Sequence, residues 1–137
     1  MDAISTIYAQ HPRSDESAEL FGNLVAKLAE CSLVCTICAD ACANEEGDDL
    51  GRCIRLDTDC ADLCASTARL LSRQPVIEPD VLERLLTTCA AACQRCAAEC
   101  RTHAEHHAHC ATCAEVCAGC AEACEQAAGR LRTNAES

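Results

Sequence analysis

From about residue 14 onwards the apolar positions recur three and four residues apart, the period of an α-helix with one face turned inward. The first such stretch carries Leu24, Leu28, Cys31, Cys35, Cys38 and Cys42. The second carries Cys53, Cys60, Cys64 and Leu71, with Asp57 at the seam position between its first two cysteines. Leu82, Leu85 or Leu86, Cys89, Cys93, Cys96 and Cys100 mark the third, and Cys110, Cys113, Cys117, Cys120 and Cys124 the fourth.

Breaker and cap residues divide the pattern. Residues 1–13, interrupted by Pro12, read as an irregular lead, and residues 14–137 as a single Cys-rich four-helix-bundle domain. The first helix starts near Ser14 to Ser17 and runs to about Ala43. It stops at "NEEGDD", where Gly47 suits a helix end and Asp48 or Asp49 can cap the next helix. The second runs to about Arg73. "SRQPVIEPD" is a loop, and Asp80 with Glu83 forms a capping box for the third helix. No Gly or Pro separates the third from the fourth. One helix from 80 to 130 would be about 75 Å long, so a break is placed at 102–107, where Thr102 and Glu105 offer a further capping box. Short connections between long helices make neighbours antiparallel. The fold class is therefore all-α, an antiparallel four-helix bundle with a cysteine-lined core. In that topology the cysteines gather towards one end and the leucines plug the other.

Composition turns the pattern into a chemical question. Half of the 137 residues are hydrophobic, but Tyr8 and Phe21 are the only aromatic residues and 16 of the residues are cysteine. A core of Cys and Ala buries too little apolar surface to hold four helices unaided. The N-terminus has no basic start, signal-length apolar run or twin arginine, so a cytoplasmic location is expected, and no transmembrane segment was read from the chain. In a reducing compartment such cysteines are metal ligands or redox groups rather than structural disulfides. The net charge of −11 argues against nucleic acid and anionic membranes as partners.

Soft thiolates select Cu(I), Zn(II) or iron–sulfur clusters, and continuous helical seams suit the last poorly. Charge separates the first two. Four Zn(II) ions on sixteen thiolates would leave the interior at about −8, whereas sixteen bridging Cu(I) ions would leave it near zero, which a low-dielectric core tolerates.

In these seams the chain resembles the bacterial copper storage proteins, in particular their cytosolic branch. The resemblance spans nearly everything after residue 14. It implies a four-helix bundle, assembled as a homotetramer, that stores multiple Cu(I) ions per chain. It also implies that the sixteen cysteines from Cys31 to Cys124 are core ligands. Asp57, where relatives carry more thiols, departs from the pattern.

His103 and His107 continue the third seam beyond Cys100, and His106 and His109 stand before Cys110. One reading is a mouth at which His103, His107 and His109 take up Cu(I) and pass it inward, in keeping with histidines at the family's bundle opening. The other is a solvated histidine run at a helix end. Asp57 is read either as orienting or neutralising a copper ion or a mouth histidine, or as an acid reaching for solvent. His11, alone in the lead, is taken as exposed. Leu33 and Ile37 lie off the seam and form an apolar strip for subunit packing. The function expected is storage and buffering of Cu(I), not catalysis. A zinc or general thiolate buffer and a thiol oxidoreductase or copper-dependent reductase are the alternatives. No cysteine pair stands apart as a nucleophile with its resolving partner. Expected partners are copper ions, copies of the same chain and a delivering copper chaperone.

Overall fold

The computed structural model describes residues 2–136 and contains five helices. They are α1 (Ala3–Ala9), α2 (Ala18–Ala43), α3 (Gly51–Leu71), α4 (Pro79–Thr102) and α5 (Ala108–Glu136). Among the described residues there is no strand. The four long helices pack in a ring, α2 on α3, α3 on α4, α4 on α5, and α5 back on α2. The connections are short, and consecutive helices run antiparallel.

The expectation of an irregular lead is corrected by α1. The Asp2 carboxylate accepts from the Ser5 N–H at 2.7 Å and so caps the helix. Tyr8 then anchors it to the bundle, because the ring is buried against Gly22 of α2 and its hydroxyl donates to the Leu71 carbonyl at 3.1 Å. A Cβ on Gly22 would lie 3.3 Å from two Tyr8 carbons, a tight contact that glycine avoids. Burial pushes the Tyr8 hydroxyl up to about 12. A helix of seven residues falls below the window in which periodicity is legible, and its anchor is tertiary.

The long helices begin and end close to where the pattern places them, but neither of the two expected capping boxes forms. Pro79 opens α4 two residues early, with Glu78 at the cap position, which moves Asp80 into the first turn, where its charge faces the helix dipole. Glu83 instead accepts from Arg132 at 2.5 Å. Thr102 donates back to the Glu99 carbonyl at 2.7 Å and so finishes α4 rather than starting α5. Asp49 does assist α3, accepting from the Gly51 N–H at 3.1 Å.

The core is divided as the seams imply. Leu24, Leu28, Leu71, Leu82 and Leu86 are buried at one end, with Tyr8 and Phe21 beside them, and the cysteines fill the remainder. By length and composition α2 could also cross a membrane, with a mean hydropathy of 1.5 over its most apolar window, although no spanning segment was read from the sequence. Its Leu24, Leu28 and four cysteines are instead buried in the bundle.

The buried leucine end and Tyr8 lead to the expectation that the bundle folds without metal. Leu24→Ala combined with Leu82→Ala is expected to lower the unfolding free energy of the metal-free protein by several kcal/mol, as the deletion of buried leucine side chains does elsewhere. Ile77→Ala, at a loop position 84% exposed, serves as the control and should change it little. Urea unfolding of the metal-free protein followed by circular dichroism measures both, and a metal-free wild type with little helical signal would contradict the premise.

Candidate metal centre

All sixteen cysteines are free thiols and all are buried. The 4, 3, 4 spacing in α2 and α4 keeps their sulfurs on one face, so each seam meets the next across the axis. Across helices the Sγ–Sγ distances are 3.4 Å for Cys35–Cys117, 3.5 Å for Cys53–Cys100 and Cys60–Cys93, and 3.6 Å for Cys64 to both Cys89 and Cys93. Neighbours along one helix, such as Cys60–Cys64 and Cys113–Cys117, are 3.9 Å apart. Cys120 and Cys124 interact with each other, and Cys124 also with Cys89, so the column continues to the leucine boundary.

The sulfurs form overlapping sets of four. Cys31, Cys60, Cys64 and Cys93 make one, Cys31, Cys35, Cys60 and Cys117 another, and Cys35, Cys96, Cys113 and Cys117 a third. Cys31, Cys35, Cys60 and Cys117 each belong to two. A metal–sulfur bond of about 2.3 Å places the ligands of one tetrahedral ion about 3.8 Å apart, so these sulfurs are already at ligand spacing. Overlap means that a thiolate serving one ion is also within reach of the next, the geometry of bridged clusters.

Asp57 lies inside the column and is fully buried. It neither reaches solvent nor touches a mouth histidine. Its Oδ1 accepts from the Cys96 thiol at 2.9 Å, from Cys113 at 3.2 Å and more distantly from Cys100 at 3.8 Å, while Oδ2 faces Cys53 at 3.9 Å. With Cys38, Cys53 and Cys100 it also forms a set of potential ligands. Burial pushes its carboxyl up to about 8, and the Cys96 hydrogen bond opposes that shift. Thr67, which sequence reasoning passed over, is the second fully buried polar side chain. It holds the seam position between Cys64 and Leu71 and satisfies itself on the Leu63 carbonyl at 2.7 Å. The three- and four-residue spacing was the signal that could have found it.

The histidines do not act as one group. His109 faces inward, with Nδ1 3.4 Å from the Cys38 sulfur and 3.7 Å from that of Cys110, and it forms a ligand set with Cys38, Cys42 and Cys110. His107 sits just outside it, ring centroids 5.6 Å apart, with Nε2 2.7 Å from Asp48 Oδ2. The Asp48 hydrogen bond and the Glu45 charge hold His107 above the usual imidazole range, against the effect of desolvation. His103 is turned to Glu99, with Nε2 2.9 Å from Oε2, and His106 is exposed. Of the three expected mouth residues, then, His109 reaches the thiols, His107 lies behind it and His103 binds an acid on its own helix. Burial pushes the Cys110 thiol up to about 11, and that of Cys42 higher. These groups are protonated near neutrality, so a metal ion displaces protons as it binds.

The fold and the site together define a helical metal-binding bundle whose interior is a column of thiols. A sequence profile of the copper storage protein family matches residues 17–129, and the chain belongs to that family. Similar solved structures include the copper storage protein Ccsp of Streptomyces lividans loaded with 10 copper equivalents. It is 37% identical, with 93% of this chain and 98% of that one covered at a TM-score of 0.86. The S. lividans cytosolic copper storage protein with five coppers is 41% identical over 81% of this chain and 93% of its own, at 0.78. A further relative is the uncharacterised cysteine-rich protein YhjQ of Bacillus subtilis, 34% identical over 88 residues, which are 64% of this chain and 76% of that one.

Asp57 gives the metal-free protein a specific pH dependence. The unfolded carboxyl ionises near 3.8 and the folded one near 8, so the unfolded chain binds fewer protons between those values. Stability is therefore fully present below about pH 4 and falls as pH rises towards 8, by on the order of 5 kcal/mol from this group. Asp57→Asn should remove that part of the slope, and denaturant melts of both proteins at pH 4.5 and 8 measure it. Equal slopes would contradict the assignment.

Proposed function

We propose that this protein stores and buffers Cu(I) in the cytosol, holding many ions at once on the cysteine thiolates of its core. The observation that carries the reading is the unbroken column of buried thiols at ligand spacing. A single structural ion needs four ligands, whereas sixteen overlapping thiols suit a cluster chemistry in which each thiolate bridges. Monovalent copper also satisfies the charge, since one ion per thiolate leaves the interior near neutral. Membership of the copper storage family and the likeness to copper-loaded S. lividans structures support the choice of copper.

In this reading Cys31, Cys35, Cys38, Cys42, Cys53, Cys60, Cys64, Cys89, Cys93, Cys96, Cys100, Cys110, Cys113, Cys117, Cys120 and Cys124 are the storage ligands. Asp57 supplies a carboxylate among them once its proton leaves. His109 takes an ion at the mouth and hands it to Cys38, Cys42 and Cys110, because imidazole binds Cu(I) but holds it less firmly than bridging thiolate. His107 and His103 stand further out along the same route. The role is storage and not catalysis: a catalytic thiol is exposed and ionised, and every thiol here is buried. Delivery by a copper chaperone at the histidine end completes the cycle.

Assembly as a homotetramer belongs to the same proposal. Leu33 and Ile37, one turn apart on α2, are 64% and 65% exposed, an apolar strip that another subunit would cover. Leu33→Glu combined with Ile37→Glu should shift the sedimentation coefficient towards that of the monomer at micromolar concentration. A wild-type monomer, or an unchanged assembly in the variant, would overturn it.

The deciding experiment is an anaerobic Cu(I) titration against a competing chelator. About 16 to 20 ions per chain are expected from one ion per thiolate or slightly more. A plateau near four, or displacement of Cu(I) by Zn(II), would favour a zinc buffer. His103→Ala combined with His107→Ala should slow loading in stopped flow and keep nearly the full capacity. Unchanged rates would remove the mouth role, and a capacity halved would make the histidines storage ligands.

A further inference from the structure

We infer that Thr67 is the end stop of the copper column, a positioning residue whose hydroxyl turns from its own helix to the Cys89 sulfur when the deepest Cu(I) ion binds. The inference rests on the storage function proposed above and gives the closed end of that site a residue of its own.

The α3 seam runs Cys53, Asp57, Cys60, Cys64, Thr67 and Leu71, so Thr67 stands one step beyond the last sulfur of its helix. At the same step the other three seams are already apolar, with Leu28 next to Cys31, Leu86 next to Cys89, and Ala127 and Ala128 next to Cys124. All of these are buried, and Thr67 is fully buried among the same elements. One polar side chain therefore occupies the layer where sulfur gives way to hydrocarbon. A buried hydroxyl costs free energy unless it is hydrogen-bonded, and Thr67 offsets that locally by donating to the Leu63 carbonyl at 2.7 Å.

The hydroxyl also has a second partner. Cys89 interacts with the sulfurs of Cys64, Cys93 and Cys124 and with the Thr67 side chain, so its neighbours are three sulfurs and one oxygen. Cys64 Sγ is 3.6 Å from Cys89 Sγ, which puts Cys89 at ligand spacing with the column. A hydroxyl has one proton to give and two lone pairs. With its proton on the Leu63 carbonyl, the oxygen can accept from the Cys89 thiol of the metal-free protein. With the proton turned about the Cβ–Oγ bond, the same oxygen donates to the Cys89 thiolate, and no heavier atom has to move. The Leu63 carbonyl is not orphaned, because residue 67 lies within α3 and its backbone N–H donates to the carbonyl four residues back.

Charge explains why the end of the column needs such a group. A thiolate in the middle bridges two Cu(I) ions and shares its charge between them, whereas one at the end has copper on one side only. Beyond Cys89 the seams continue as Leu28, Leu71 and Leu86, all fully buried. A residual charge left there without a donor is costly. Hydrogen bonds to charged groups are stronger than those to neutral ones, so the thiolate takes the proton from the helix carbonyl. Leucine or alanine in this place would leave the thiolate bare, and cysteine would carry copper one layer deeper. Threonine does neither.

The test is an anaerobic Cu(I) titration of the full-length protein against a chelator that the wild type just outcompetes, repeated on Thr67→Val, Thr67→Ser and Thr67→Cys. Thr67→Val keeps the shape and removes the hydroxyl, and it should weaken the hold on the deepest ion by about ten- to a hundredfold, the range of a hydrogen bond to a charged group. Its plateau should then fall by about one ion per chain, while Thr67→Ser restores the wild-type plateau and Thr67→Cys raises it by about one. The urea midpoint of the metal-free protein should stay nearly unchanged in Thr67→Val, since the Leu63 carbonyl keeps its helix partner. Equal Cu(I) binding by wild type and Thr67→Val, no restoration by Thr67→Ser, or no gain in Thr67→Cys would each overturn the inference and leave storage standing. Copper loss in Thr67→Val that only follows a fall in metal-free stability would overturn it too, by making the residue purely structural. A wild type that takes up no Cu(I) would overturn storage and the end stop together.

Discussion

Sulfur against sulfur across facing helices is the contact on which this protein depends. The thiols pack the core, and at separations of 3.4 to 4.0 Å they already stand at the spacing of ligands. Cysteine is small, so the helices approach closely without interdigitating large side chains, and the usual stability of a leucine-rich bundle core is given up over much of the length. What remains apolar is concentrated at one end, with Leu28, Leu71 and Leu86 fully buried. The long helices are therefore positioned by one apolar layer and kept in register along the rest by groups that await another bonding partner.

Asp57 illustrates how far one atom type alters that column. In the α3 seam it takes the place a sulfur would occupy, yet it offers two oxygens to four thiols. A thiol there would add one more soft ligand to a uniform set. A carboxyl instead organises its neighbours by hydrogen bonds while the protein is empty, and it introduces a hard donor midway along a soft path. Since its proton is held by burial, any cation arriving beside it changes its charge as well as its contacts.

Much of this was legible in the chain because cysteine is an unambiguous marker. Spacings of three and four placed all sixteen thiols on inward faces, and the length an unbroken helix would have put the break at residues 102–107 with no Gly or Pro to mark it. Asp57 was found the same way, as a gap in a regular row. The helix at Ala3–Ala9 was missed because it is too short to show a period and is held by Tyr8 against residues far away in sequence. Expected capping boxes at Asp80 and Thr102 failed for local reasons, a proline that starts the helix early and a carbonyl nearer than the next helix. The parting of the histidines was not readable either. His103 and His107 share a seam in sequence, and only the folded positions of Glu99 and Asp48 send them to different partners. Glu45 looked like part of an ordinary polar loop, because the turn at Gly47 that brings it to the mouth is a property of three dimensions.

Tyr8 reinforces the closed end of the bundle. By fastening α1 to the flank of α2, through Gly22 and the Leu71 carbonyl, it braces the layer of buried leucines that stops one end of the vessel. Such a vessel keeps order as well as quantity. Whatever is deposited deepest lies behind everything that follows, and the newest arrival stands nearest the way out. Cargo filled and emptied through the other end would stand as a queue served from its tail: far from the door in a sparsely filled vessel, at the threshold in a nearly full one. The ease of release would then reflect how full the vessel is, a gauge that comes from closing one end of a tube.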